Sequence, residues 1–195
     1  MIINRNKVWQ LSWPVIFANF SIPLVGLTDT FIMGHMPSSD YLASVALGSI
    51  VFNFMYAGFN FLRMGTTGST AQSQSDGVIS EQSIKILFNS SFLAIVLAML
   101  LISFQKPLFS IYYSLVSADP LTTNLAYSYS NIRILAAPAT LLNFVIHGWY
   151  LGIQNAWIPL VLTVSIQVLN IVLNFLFASI LSMGVDGLAL ATLLA

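Results

Sequence analysis

One carboxylate poses the first chemical question. Asp29 lies within the apolar stretch of residues 9–36, which is long enough to cross a bilayer. A membrane-spanning helix needs roughly 20 mostly apolar residues, and an acid near its middle costs at least ~2.5 kcal/mol. Such a group normally faces a bundle interior or a water-filled cavity, so Asp29 is a candidate proton or cation site. Asn170 and Asn174 stand four residues apart, on one face of a helix. Their carbonyls can coordinate a cation or accept a hydrogen bond from a protonated acid. Tyr127 and Asn131 repeat that spacing, and Arg133 follows as a candidate charge partner for Asp29. Pro14 and Pro23 share the Asp29 span and remove backbone hydrogen bonds there, which makes them a candidate hinge.

The elements that carry these groups follow from composition. Of 195 residues, 57% are hydrophobic and 6% are charged, against ~25% charged in soluble domains. The pattern predicts an all-α polytopic membrane protein with six spans, over residues 8–33, 42–63, 84–104, 124–151, 156–181 and 185–195. The sixth is incomplete, because the sequence stops inside a rising apolar stretch; this predicts a truncated chain, or half of something larger. The first apolar stretch is too long for a cleavable signal peptide and lacks a cleavage site after it, so it is expected to stay. Small residues recur in the second span at Ala43, Ala46, Gly48, Ala57 and Gly58, where they let helices approach closely in lipid. The polar segment RMGTTGSTAQSQSDGVISEQS is expected outside the membrane, or at most at its surface. The mixed segment after Phe104 is expected to form a short surface helix ending near Asp119 and Pro120.

Charge sets the orientation, and orientation sets depth. With the N-terminus inside, Arg5, Lys7, Arg63 and Lys85 fall on the cytoplasmic side and Lys106 alone on the outer side, as the positive-inside rule requires. Asp29 then lies roughly 6 Å below the outer boundary, at 1.5 Å per residue. Asn170, Asn174, Tyr127 and Asn131 come to the same outer layer, which implies a polar cavity there. Arg63 falls at the opposite end of its span, as an interfacial anchor or loop organiser.

Other chemistries find little support. With zero cysteines there are no disulfides and no thiolate nucleophiles or metal ligands. A net charge of zero argues against nucleic acid. The stretch GTTGSTAQS lacks the Gly-Lys-Ser/Thr ending and the preceding strand of a phosphate loop. Paired acids, HExxH and serine-histidine arrangements are missing at usable spacing, so no enzyme is expected. His35 and His147 read as ordinary surface or packing residues. No cofactor and no metal site is expected.

The segments WPVIFANFSIPLVGLTDTFIMGH, YLASVALG, FLRMGTTGSTAQ, RILAAPATLLNFVIHGWYLGIQNAWIPL and LNIVLNFLF resemble the multidrug and toxic compound extrusion (MATE) transporters, closest to their damage-inducible F branch. The resemblance is collinear and spans essentially the whole chain, but only the first lobe of a twelve-helix fold. It implies a secondary antiporter that exports amphipathic, often cationic, compounds in exchange for H⁺ or Na⁺ by alternating access between two lobes. It also implies an inner-membrane location and a C-terminal lobe as partner. The family's coupling carboxylate falls on Asp29, and its Asn-x-x-x-Asp motif in the fifth span falls on Asn170 and Asn174. The second position of that motif is Asn here, which leaves coupling to Asp29 alone.

Three other readings compete. A lipid or lipid-linked oligosaccharide flippase of related design would need several cavity cations, and only Arg133 qualifies. An intramembrane enzyme lacks its catalytic groups, and a six-helix fragment without its second wall would be inactive by itself.

Overall fold

The computed structural model describes residues 5–36, 38–74 and 79–195, with side chains described except at residues 5–7, 11, 19 and 21–25. These residues form helices throughout, with no strand among them. Helix α1 runs from Arg5–Gly34, 30 residues that pass both prolines unbroken. Helices α2 (Ser39–Gly58) and α3 (Asn60–Ser73) form one 35-residue apolar rod with a tightened turn at Phe59. There the Phe59 N–H bonds the Tyr56 carbonyl at 3.0 Å. Helix α4 (Glu81–Ser103) begins at Ser80, whose side chain accepts from the Ser83 N–H at 3.0 Å, a cap that satisfies an orphan donor. Helices α5 (Gln105–Leu115), α6 (Pro120–Arg133), α7 (Ala137–Gly152), α8 (Trp157–Asn174) and α9 (Gly184–Leu194) complete the order.

Among the described residues, four helical rods are long and apolar enough to cross a bilayer: Ser39–Ser73, Glu81–Ser103, Pro120–Gly152 and Trp157–Ile180. Large apolar side chains point outward from them, with Phe54 84% and Phe92 71% exposed. Such a surface suits lipid, where an exposed ring costs nothing.

Two irregular turns have local causes. Pro138 lies in the first turn of α7; its ring would collide with the carbonyl four residues back, at Ile134. The chain therefore tightens into a 3-10 turn at Ile134–Ala136 between α6 and α7. At the end of α8 the helix widens instead into a π turn over Phe175–Ile180, closed by Leu181 N–H to Leu176 O at 2.9 Å. Gly187 lets α9 lie on that turn: a Cβ there would meet the Phe177 carbonyl carbon at 2.9 Å.

The second span, expected to end at Arg63, continues as helix α3 to Ser73, into the polar segment expected outside the membrane. Its small residues pack on α7: a Cβ at Gly148 would lie 2.5 Å from the Arg63 carbonyl, and one at Gly152 2.5 Å from Thr70 Cβ. Polar side chains on α3 thus meet a neighbouring helix, and Thr66 and Thr70 are buried. The segment after Phe104 is helical as expected, but it buries more than a surface helix would. Phe109 is fully buried against Phe52, ring centroids 6.0 Å apart. Tyr112 and Tyr113 donate to the Leu47 and Ala126 carbonyls at 3.1 and 3.0 Å, tying α5 to α2 and α6.

Candidate functional site

Helix α1 lies along α8, pinned where the Trp13 ring meets Trp157 edge-on at 4.7 Å. That alignment brings Asp29 to the far end of α8, where Asn174 waits at its last turn. Asn174 donates from Nδ2 to Asp29 Oδ1 at 2.6 Å and to Asn170 Oδ1 at 2.9 Å. Asn170 donates in turn to Thr192 Oγ1 of α9 at 3.3 Å, and Thr192 donates to the Leu188 carbonyl at 3.1 Å. Asn170 and Asn174 are buried, while Asp29 is half-buried. The expected trio is therefore joined in one hydrogen-bonded chain. Asn174 Oδ1 is buried with no partner among the described residues, an acceptor left open beside the acid.

Asp29, Asn170 and Thr192 line an open cavity of about 800 Å³, whose other polar walls include Ser49, Asn53, Arg133, Thr140, Asn143 and Gln167. Oxygens of the Asp29 carboxylate and the two amides form a set that fits a hard cation by type. No cluster of three His or acidic residues that would hold a transition metal occurs among the described residues.

Arg133 shares this cavity with Asp29 but makes no ion pair among the described residues. Its Nη1 donates to Ser49 Oγ at 3.3 Å and to the Tyr129 hydroxyl. The guanidinium also stacks 4.9 Å from the Phe52 ring centroid and 5.4 Å from that of Tyr129, a cation-π setting that stabilises the charge away from water.

Tyr127 and Asn131 are corrected: neither lines the Asp29 cavity. Tyr127 packs its ring on Phe109 and Tyr113 at 6.2 and 5.9 Å, toward α5. The reason is azimuth: residues two apart on a helix point roughly 200° away from each other, and Arg133 is the α6 side chain that lines the cavity, so Asn131 two residues earlier points away from it. Of the candidate hinge, Pro14 is fully buried, and the Pro23 side chain lies outside the described residues. His35 is exposed and stacks on Phe31 with ring centroids 4.4 Å apart.

A family model described as MatE matches residues 14–176. The chain belongs to the MatE family. This MatE chain is 38% identical over 189 residues to DNA damage-inducible protein F of Escherichia coli (strain K12), covering 96% of the chain and 41% of that protein. It is 27% identical over 192 residues to Multidrug and toxin extrusion protein 1 of Oryctolagus cuniculus, covering 95% of the chain and 32% of that protein. A solved structure described as the outward-facing conformation of a multidrug resistance MATE family transporter superposes with a TM-score of 0.85 at 27% identity, covering 96% of the chain and 41% of that structure. The MatE chain thus spans about a third to two fifths of the length of these relatives. With its lipid-suited rods, it is an integral membrane protein.

Sequence reasoning missed Thr192 and the cavity residues Ser49, Asn53, Thr140 and Asn143. A signal was present in the spacing. Ser49 and Asn53, Thr140 and Asn143, and Gln167 and Asn170 each stand three or four residues apart in apolar helices, which puts each pair on one face. Asp186 also escaped notice as a partner: Ser128 donates to it at 2.7 Å, fastening α6 to α9.

Proposed function

We propose that this chain is one lobe of an ion-coupled exporter in which Asp29 exchanges H⁺ or Na⁺ for an amphipathic, cationic compound. The observation that carries the reading is the 2.6 Å hydrogen bond from Asn174 to Asp29 at the wall of an open cavity. An ionised Asp29 accepts that bond and leaves the cavity with a negative charge, which favours a cationic guest. Protonation from outside removes the charge and turns the acid into a donor. Asn174 Oδ1, buried without a partner, is the acceptor at hand, and rotating the amide exchanges one hydrogen bond for the other. The guest then loses its electrostatic hold and leaves. Release of the proton toward the cytoplasm restores the site, so ion and substrate compete for one carboxylate. Na⁺ would act in the same way through the Asp29 and amide oxygens.

The two states require a bistable element. Helix α1 carries Asp29 together with Pro14 and Pro23, and a bend there would move the acid relative to α8. The cavity's second wall is assigned to a C-terminal lobe, in a parallel two-lobe plan. On this reading the N-terminus is cytoplasmic, which the lysine and arginine bias supports, and the protein sits in the inner membrane. Arg133 is held by Ser49, Tyr129 and two aromatic rings, which disfavours a flippase that grips phosphate with it.

Proton release tests the competition. In weakly buffered detergent solution with a pH dye, a hydrophobic cation added to the full-length protein is expected to release protons. Asp29→Asn is expected to release none while remaining folded. Equal release by both proteins would remove Asp29 from the mechanism.

A further inference from the structure

A second cavity of about 230 Å³ lies between α1, α3, α7 and α8; it adjoins the Asp29 cavity, sharing Asn143, Phe144, Ile166 and Gln167 with it, and extends from there to Arg63, His147 and Pro159. Its polar lining is cationic or neutral: Arg63 from α3, Asn143 and His147 from α7, and Thr163 and Gln167 from α8. No carboxylate lines it among the described residues. The ion pair found among them, Lys85 with Glu81, lies elsewhere. The Arg63 backbone is fixed in place, since its carbonyl accepts from Thr67 Oγ1 at 2.8 Å and abuts Gly148. Its guanidinium makes no hydrogen bond or ion pair among the described residues. His147, one residue before that glycine, has a buried Nε2 with no partner.

An orphaned buried ring nitrogen is costly inside a membrane protein, and the half-buried Arg63 lines the same cavity. A bound anion would satisfy both. We propose that this cavity binds a phosphate group, with Arg63 as its principal donor and His147, Asn143 and Thr163 completing the shell. Arginine donates to phosphate in a planar, two-pronged geometry. The donors also come from three helices, and a tetrahedral anion offers oxygens in several directions where a carboxylate offers two. The remaining wall is apolar, including Val15, Leu151 and Leu160, which suits the carbon side of a phosphate ester. Basic pockets between helices on the cytoplasmic side are where phospholipid headgroups are held, and a soluble phosphate ester presents the same chemistry. Asp29 itself takes no part in the site, whose cytoplasmic placement rests on the orientation proposed above.

Two binding arms test the site on the full chain, purified and delipidated. In one, native mass spectrometry counts phosphatidylglycerol retained after limited exposure to that lipid. In the other, methyl phosphate is titrated against the melting temperature in phospholipid-free detergent. At least one arm is expected to report saturable binding, weakened tenfold or more by Arg63→Gln and severalfold by His147→Asn. Lipid retention without a methyl phosphate response identifies a headgroup site; the reverse identifies a soluble ester. Should Arg63→Gln not fold, the pair Thr163→Val and His147→Asn carries the same comparison. No binding in either arm, or binding indifferent to these substitutions, overturns the proposal.

Discussion

Asn174 spends its one amide group on two acceptors, Asp29 of α1 and Asn170 of its own helix, and leaves its carbonyl buried and unused. Asp29 is therefore presented to the cavity with a neutral donor on one side and, among the described residues, no ion-paired cation. This makes the acid removable as a charge without breaking an ion pair.

Removing the donor should cost stability. A hydrogen bond to a charged group contributes about 1.5–3 kcal/mol, so Asn174→Leu is expected to lower the unfolding free energy by that order at pH 8. Thermal unfolding in detergent measures it, and a melting temperature unchanged from the wild type would mean that the bond does not form.

A second carboxylate in place of that donor should strengthen cation binding. With Asn174→Asp, two acids face one cavity, and Na⁺ affinity measured by calorimetry is expected to rise tenfold or more. Weaker or unchanged Na⁺ binding would show that the oxygens of this cluster do not converge on an ion.

The seam between α3 and α7 offers a packing test. Gly148→Ala places a methyl 2.5 Å from the Arg63 carbonyl, and overpacking of that kind costs about 1–3 kcal/mol. Gly65→Ala on the same helix α3 meets nothing within 4 Å and should be neutral or slightly stabilising, since alanine favours the helix over glycine. Equal melting temperatures for the two variants would argue against the close α3–α7 seam.

Arg133 should prove structural first. Arg133→Lys keeps the charge but loses the planar stacking on Phe52 and Tyr129. The expected outcome is a lower melting temperature with ion-coupled efflux retained. Loss of coupling at normal stability would instead make Arg133 the partner of Asp29.

Much of this arrangement is readable from the chain because polar residues are conspicuous in apolar helices. Asp29, Asn170 and Asn174 announce themselves, and counting residues from the span ends brings them to one depth. Counting along a span says nothing of azimuth, so it does not show that Tyr127 turns to Phe109 and stays out of the cavity lining. The segment after Arg63 misleads for another reason. Its polarity sets the expected end of the second span at Arg63, yet small polar side chains also suit a helix pressed against Gly148 and Gly152. The π turn after Asn174 leaves no local signature, since it arises where α9 leans on α8 through Gly187.

The central claim is that one carboxylate carries the coupling, and transport driven by an imposed gradient tests it most directly. In proteoliposomes containing the full-length protein, a pH or Na⁺ gradient is expected to drive export of a cationic dye by the wild type and to drive none by Asp29→Asn inserted at equal density. Gradient-driven export by Asp29→Asn at the wild-type rate would contradict the account.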